Sequence, residues 1–300
     1  MRLPRNGLVL AMLAAGCVDE LGMEDAGCAI DVCAPGYFCC SDTCLQDGEQ
    51  CLGACAAVGS GVGAERFLPF VPGSVWVYEV RSAATHQIED YKHLRLGAEE
   101  DLAPFANGRG YRLCREDRSV DDVVQRGSIR WQRDTGAGAL WVRNLRYDTT
   151  GVVKDELCVP PAVRLDESAT GLCVGATFDS RWTSRTVEDP VTCTGGPSAC
   201  PTANAAVFEK WETMAVDTQV WVPALGDQRA LRVRRILDLG GVDEVSDFWF
   251  VRGVGKVTEY VPTDEDERLI YFDIPGVGSG GTNPYRMISE CTPEWRPAFP

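Results

Sequence analysis

The chain has 300 residues, of which 45% are hydrophobic and 9% aromatic, so it can build at least one core and is not a long disordered chain. Its 44 acidic and 29 basic residues give a net charge of −15, which argues against nucleic acid and against a basic membrane-docking patch, because both would need clustered positive charge. Fourteen cysteines point away from a reducing cytoplasm, where disulfides are rare.

The N-terminal residues have the pattern of a secretory signal. Residues 1–6 carry two arginines, residues 7–15 are uncharged and almost wholly apolar, and small residues follow. An apolar helix of that length spans only about 14 Å, whereas the hydrocarbon core of a bilayer is about 30 Å thick. We therefore predict a signal peptide at residues 1–16. No later stretch is long and apolar enough to predict a transmembrane helix.

The segment Leu13–Cys17 (LAAGC) resembles the lipobox of bacterial lipoproteins, although that family usually has Leu where this chain has Ala14. The resemblance implies cleavage before Cys17, acylation of Cys17 and, with Val18 following, sorting to the outer membrane. Several acyl chains on one residue would give a stable membrane anchor. The alternative is an ordinary secretory cleavage that leaves Cys17 as a disulfide partner.

A cysteine-rich module follows a short acidic tether at residues 17–27. Residues 28–55 are too few to fold without crosslinks, and they contain neither histidine nor a Cys-x-x-Cys pair, so disulfides are favoured over zinc. The spacing resembles inhibitor cystine-knot peptides and the Dickkopf N-terminal module. We interpret it as a stiff spacer, with a protease inhibitor or ligand module as the alternative. The cysteines expected to pair here are Cys28, Cys33, Cys39, Cys40, Cys44 and Cys51.

A Gly-rich linker at residues 56–65 precedes a region, residues 66–275, in which strand patterns alternate with turn residues. Strands at such short intervals favour an antiparallel sheet over a parallel α/β fold. Helical periodicity is weak, and residues 99–105 and 284–290 are the best places for a helical turn. Residues 276–300 form a Gly/Pro-rich tail. Its G-x-G-x-x-G match at residues 276–281 has no helix after it and predicts a flexible exit loop.

Three stretches of this region resemble secreted bacterial lipoproteins. Phe67–Val80 (FLPFVPGSVWVYEV) matches their opening strand, Cys173–Val187 a second strand of that kind, and residues 208–260 their closing segment with its Gly-Val-Gly hairpin. The resemblance implies a concave, lipoprotein-carrier-like sheet. The predicted fold class is therefore mainly β, an antiparallel curved sheet or half-barrel with a small N-terminal disulfide-rich module.

Candidates for chemistry are few. His86 and His93 are the only histidines, and we interpret them as exposed polar residues, so no metal site and no cofactor are predicted. Acidic runs at residues 99–101, 121–122 and 264–267 leave a hydrolase with paired carboxylates as an alternative. No catalytic residue is assigned.

Eight tryptophans follow the linker, and they have two interpretations. Large aromatic side chains usually fill a core. On a curved sheet that is incompletely covered, they would instead line a cup for a lipid, a glycan or another apolar ligand. The residues are Trp76, Trp131, Trp141, Trp182, Trp211, Trp221, Trp249 and Trp295.

Six further cysteines lie in the β region. We expect the pairs Cys158–Cys173, Cys193–Cys200 and Cys114–Cys291. If Cys17 is acylated, an odd number of cysteines remains, and we expect Cys55 to be free or to pair elsewhere.

The sequence thus predicts a lipid-anchored, non-catalytic outer-membrane protein. Its partners would be the membrane, through the anchor, and either an apolar small molecule or another envelope protein. The alternatives are a structural or adhesive surface protein without a ligand and the carboxylate hydrolase.

Overall fold

The computed structural model describes residues 37–40, 43–46, 54–59, 63–103, 105–197, 199–238, 243–262, 264–283 and 285–300. The predicted signal peptide, Cys17 and the tether lie outside these residues, as do Cys28, Cys33 and Cys51. Of the cysteine-rich module, the structure describes two antiparallel strands, β1 (Tyr37–Cys40) and β2 (Thr43–Gln46).

The other described strands form one antiparallel sheet, in the order β13-β12-β11-β10-β9-β8-β7-β6-β5-β4-β3-β14-β15. Their bounds are β3 (Val75–Ser82), β4 (Ile88–Asp101), β5 (Arg109–Ser119), β6 (Val124–Asp134), β7 (Gly138–Asp148), β8 (Gly151–Asp166), β9 (Thr177–Val187), β10 (Thr202–Val222), β11 (Gly226–Asp238), β12 (Asp243–Val251), β13 (Gly255–Tyr260), β14 (Glu265–Ile274) and β15 (Gly278–Gly281). The predicted mainly-β, antiparallel fold is confirmed.

The sheet closes completely, beyond the half-barrel that the sequence suggested. Strand β14 pairs with β3 on one side and with β13 on the other, so the strands from β3 to β14 form a 12-stranded barrel. The closing pairing is short, with Thr258, Glu259 and Tyr260 opposite Arg268, Glu267 and Asp266. In the described sheet, strand β15 lies outside the closed barrel and provides the one free strand edge.

Two local expectations differ from the structure. Residues 99–101 end strand β4, and one helical turn follows, in which the carbonyl oxygen of Leu102 accepts from the N–H groups of Phe105 and Ala106, both at 3.1 Å. Residues 285–290 are irregular and do not form the expected helical turn. Residues 278–281, within the expected flexible loop, pair with β14 as β15. No helix able to span a bilayer occurs in the part of the chain that the structure describes.

Residues 63–70, which we call the strap, pack against the core clusters of the barrel and line its cavity. Arg66 is 1% exposed, and its Nε donates to Glu167 Oε2 at 3.0 Å. The same carboxylate accepts hydrogen bonds from the backbone N–H groups of Phe67, at 2.9 Å, and Leu68, at 3.1 Å. Because Glu167 follows β8, this carboxylate fixes the strap to the loop between β8 and β9.

Residues 285–300, which we call the tail, cross the outer face of the barrel. The Cys114–Cys291 disulfide joins the tail to β5, and Arg112 donates to the carbonyl oxygens of Thr292 and Pro293 at 3.3 and 3.1 Å. At Gly127 of β6 a Cβ atom would lie 2.2 Å from the ring of Pro297, so only glycine permits this approach. The tail therefore covers part of the sheet.

The disulfides match the expectations in part. Cys193–Cys200 and Cys114–Cys291 are joined as expected from the sequence. The expected Cys158–Cys173 pair is wrong, because Cys173 bonds Cys55 and Cys158 is a free, buried thiol. Cys158 packs with Trp182 on the inner side of the sheet, whereas Cys173 lies in a loop beside the backbone of Cys55.

We predict that Glu167→Ala lowers the free energy of unfolding by about 3–5 kcal/mol. The substitution removes one of the two carboxylates that bind the buried Arg66, leaving Asp134 at 3.1 Å, and it also removes the acceptor of the Phe67 and Leu68 N–H groups. Urea unfolding followed by tryptophan fluorescence measures the change. Glu188→Ala, at an exposed position, is the matched control, with an expected change within about 0.5 kcal/mol. Equal effects of the two substitutions would contradict the anchoring role of Glu167.

Candidate functional site

The interior of the barrel contains a cavity of about 320 Å³. Its wall takes side chains from the strap and from strands all around the barrel, including β3, β6, β8, β11 and β14. This volume lies at the lower end of the range of about 300–1,000 Å³ that is typical of small-molecule sites. A site inside a closed sheet is therefore the candidate functional site.

One part of the cavity wall is apolar and largely aromatic. It includes Phe70 of the strap, Trp76 of β3, Trp211 of β10 and Phe248 and Phe250 of β12. The polar atoms of both indoles are satisfied, since Trp76 Nε1 donates to the carbonyl oxygen of Val254 at 2.6 Å and Trp211 Nε1 donates to Glu209 at 3.2 Å. This part of the wall is suited to apolar contact.

The tryptophans divide between the two interpretations. Trp76, Trp141 and Trp211 line the cavity. Trp131 and Trp295 pack in a cluster that includes residues of the tail. The side chain of Trp221 is 58% exposed. Some of the tryptophans therefore line the cavity, and others pack in the core or lie on the surface.

A second part of the wall holds lysines and glutamates that neutralise each other. Lys92 is ion-paired with Glu267, and Lys256 donates to both Glu259 and Glu267. Burial works to raise the pKa of Glu259, but Lys256 and Lys92 hold this pKa well below its usual range. Two lysines thus face two carboxylates, of which Glu259 stays ionised.

A third part of the wall is an arginine–tryptophan group. The guanidinium carbon of Arg130, on β6, lies 5.1 Å from the ring centre of Trp141, on β7. Arg164, on β8, lies 4.9 Å from the same ring and 5.2 Å from that of Trp211. Trp141 therefore has a guanidinium from each neighbouring strand, an arrangement stabilised by cation–π attraction.

The arginines of this wall differ in their counterions. Arg115 binds Asp117 through two hydrogen bonds of 2.7 and 2.9 Å, and Arg164 lies 3.6 Å from Glu209. Arg130 has neither a hydrogen bond nor an ion pair with any described residue, and its Nε is buried. Burial, and then the charges of neighbouring arginines, lower the pKa of Arg130 to about 9. Arg130 is a cation at the cavity wall without a counterion.

The histidines do not belong to this site. His86 is exposed in the turn between β3 and β4, at a φ of 57°. His93 was expected to be exposed, which is wrong: it is 1% exposed, because Tyr285 of the tail lies over the sheet there, 6.1 Å between ring centres. Burial lowers the pKa of His93 to about 4, so the ring is neutral at pH 7. Among the described residues no three metal-ligating side chains are grouped.

One of the three acidic runs reaches the cavity. Glu99 pairs with the exposed Arg109, and Asp122 pairs with Arg118. Glu265 and Glu267, from the last run, line the cavity. Arg130 and the other cationic wall residues are not predicted from the sequence, although the alternation of side chains along a strand is a signal that could place them on the inner face.

No protein-family model matches the chain, and no curated protein sequence does. Among solved structures, the chain is similar to a protein from Bacteroides fragilis that is described as exported, with a YmcC-like fold. The identity is 11% and the TM-score is 0.44, and the match covers 68% of this chain and 98% of the other. It is also similar to a protein described as a lipoprotein from Parabacteroides distasonis, with 11% identity, a TM-score of 0.33 and coverage of 69% and 98%.

We predict that Arg130→Leu leaves the melting temperature unchanged or raises it, because the substitution removes a buried charge that has no counterion. The matched substitution Arg115→Leu, on the adjacent strand, should destabilise the protein by about 3–5 kcal/mol, since it leaves the buried Asp117 without its partner. Differential scanning calorimetry distinguishes the two. A clear loss of stability in Arg130→Leu would show that Arg130 has a structural role.

Proposed function

We propose that this chain is a non-catalytic, lipid-anchored protein of the bacterial cell envelope whose barrel cavity binds an apolar small molecule. The observation that carries the proposal is the cavity of about 320 Å³ with an aromatic wall. An aromatic wall inside a closed sheet provides contact area for an apolar ligand and excludes it from water.

The cysteines support the envelope location. The three described disulfides, Cys55–Cys173, Cys114–Cys291 and Cys193–Cys200, belong in an oxidising compartment. Since Cys158 is free, seven of the fourteen cysteines remain, namely Cys17 and the six of the cysteine-rich module. If those six pair with one another, Cys17 is left for acylation. The cysteine without a disulfide partner, expected from the sequence at Cys55, is thus Cys158.

The state of the reactive groups supports binding rather than catalysis. Burial raises the pKa of the Cys158 thiol to about 12, so it stays protonated and is a poor nucleophile. A carboxylate hydrolase needs one acid with a raised pKa beside an ionised one. In the cavity, Glu259 and Glu267 are instead both held by lysines.

We predict that the mature protein is released from membranes into the soluble envelope fraction by Cys17→Ser, because the substitution removes the acylated residue. Fractionation with metabolic labelling by a palmitate analogue is the measurement. Cys158→Ser, which leaves the anchor intact, should stay in the membrane fraction and keep its label. An unlabelled wild-type protein would overturn the anchor.

We predict that the neutral probe N-phenyl-1-naphthylamine binds in the cavity and gains fluorescence. Leu94→Trp, which fills part of the cavity, should weaken binding at least about tenfold, or about 1.4 kcal/mol. Val153→Trp, on the exposed side of β8 where Val153 is 46% exposed, is the control and should bind as the wild type does. Absence of binding, or equal binding by both variants, would favour the structural protein without a ligand.

A further inference from the structure

We propose that the ligand carries an anionic headgroup, a carboxylate or a phosphate, that is bound by Arg130 together with Arg164 beside the Trp141 ring. This inference rests on the proposed function, because it names the chemical class of the molecule that the cavity takes. The occupant is thus an amphipathic anion with its apolar body against the aromatic wall.

The charged side chains of the cavity wall differ in their partners. Lys92 and Lys256 are paired with Glu259 and Glu267, Arg115 is paired with Asp117, and Arg235 is paired with Glu244 at 3.0 Å. Glu265 also lines the cavity, without an ion pair to a described residue. Two lining arginines have no such pair either: Arg146 is exposed, whereas the Nε of Arg130 is buried. Arg130 shares the Trp141 ring with Arg164, whose carboxylate partner is 3.6 Å away.

Arg130 is a half-buried cation without an ion pair to a described residue. Removing a charge from water is costly unless a counterion and hydrogen bonds replace the lost hydration. Water in the cavity can supply hydrogen bonds to Arg130, but only an anion that enters the cavity supplies a counterion as well. A protein with a net charge of −15 would not attract anions to its outer surface, which makes an interior cation a selective site.

The arginine–tryptophan group has a geometry that suits an anion. A guanidinium that lies against an aromatic ring keeps its N–H edge free, and this planar fork fits the oxygen atoms of a carboxylate or phosphate. Trp211 connects this group to the apolar wall, since its ring faces Arg164 at 5.2 Å and Phe248 at 5.4 Å. Headgroup site and apolar site are therefore continuous.

The test compares four molecules that have or lack an apolar chain and an anionic headgroup: dodecanoate, dodecyl phosphate, dodecanol and inorganic phosphate. Each competes with N-phenyl-1-naphthylamine for the wild-type mature protein at constant salt. We expect dodecanoate and dodecyl phosphate to displace the probe at concentrations at least tenfold lower than dodecanol. Inorganic phosphate alone should not displace it. These arms also distinguish a fatty acid from a phosphate-bearing lipid.

Two variants assign the headgroup contact to Arg130. Arg130→Gln should lose the tenfold preference for the anions and keep the affinity for dodecanol. Arg181→Gln removes the same charge from the exposed outer side of β9, where the Arg181 side chain is 72% exposed, and should behave as the wild type does. Arg130→Lys keeps the positive charge but lacks the planar guanidinium, and it should retain part of the preference for the anions over dodecanol. Melting curves establish that each variant is folded.

The outcomes separate this inference from the proposed function. If all three dodecyl molecules displace the probe equally, the headgroup site is overturned and the apolar cavity stands. An unchanged anion preference in folded Arg130→Gln would likewise overturn the assignment. If inorganic phosphate displaces the probe as well as dodecyl phosphate does, the amphipathic ligand is overturned. If no dodecyl molecule displaces the probe, the proposed function fails together with this inference.

Discussion

Closure of the sheet depends on a pairing of three residues between β13 and β14, and this pairing sets Glu259 directly opposite Glu267 on the inner face. Two like charges opposite each other in an antiparallel pair are destabilising. Lys256, from β13 itself, and Lys92, from β4, provide the counterions. The cations beside the seam therefore offset a repulsion that closure of the barrel creates, and the charged interior is linked to this closure.

This constraint divides the cavity into parts with different electrostatic roles. The lysine–glutamate part is neutral within itself and belongs to the closure of the sheet. The arginine–tryptophan part contributes nothing to the seam, since Arg130 and Arg164 come from β6 and β8. The aromatic wall is completed by the strap, whose Phe70 enters the core cluster with Trp76 and Tyr78.

The sequence predicted the parts of this fold that depend on local signals. Alternating side chains and turn residues indicate antiparallel strands because both are properties of short segments. The contacts that complete the barrel are non-local: β14 pairs with β3 about 190 residues earlier, and Cys55 reaches Cys173. His93 illustrates the same limit, because its burial depends on Tyr285 of the tail. The charged residues of the cavity wall can be predicted once the barrel is known to be closed, because the alternation of side chains then places Arg130 and Trp141 on the inner face.

The Cys55–Cys173 disulfide would have a mechanical role in a chain that is anchored at Cys17, as we propose. With an anchor at Cys17, any tension from the membrane runs along the cysteine-rich module and arrives at Cys55 before it can reach residue 63, where the strap begins. The covalent bond to Cys173 passes this load into the loop between β8 and β9. The strap, which follows Cys55 in the chain, would then bear less of this load than it would without the disulfide. In a chain anchored at Cys17, the cavity wall that the strap provides would thus be partly shielded from movements of the membrane.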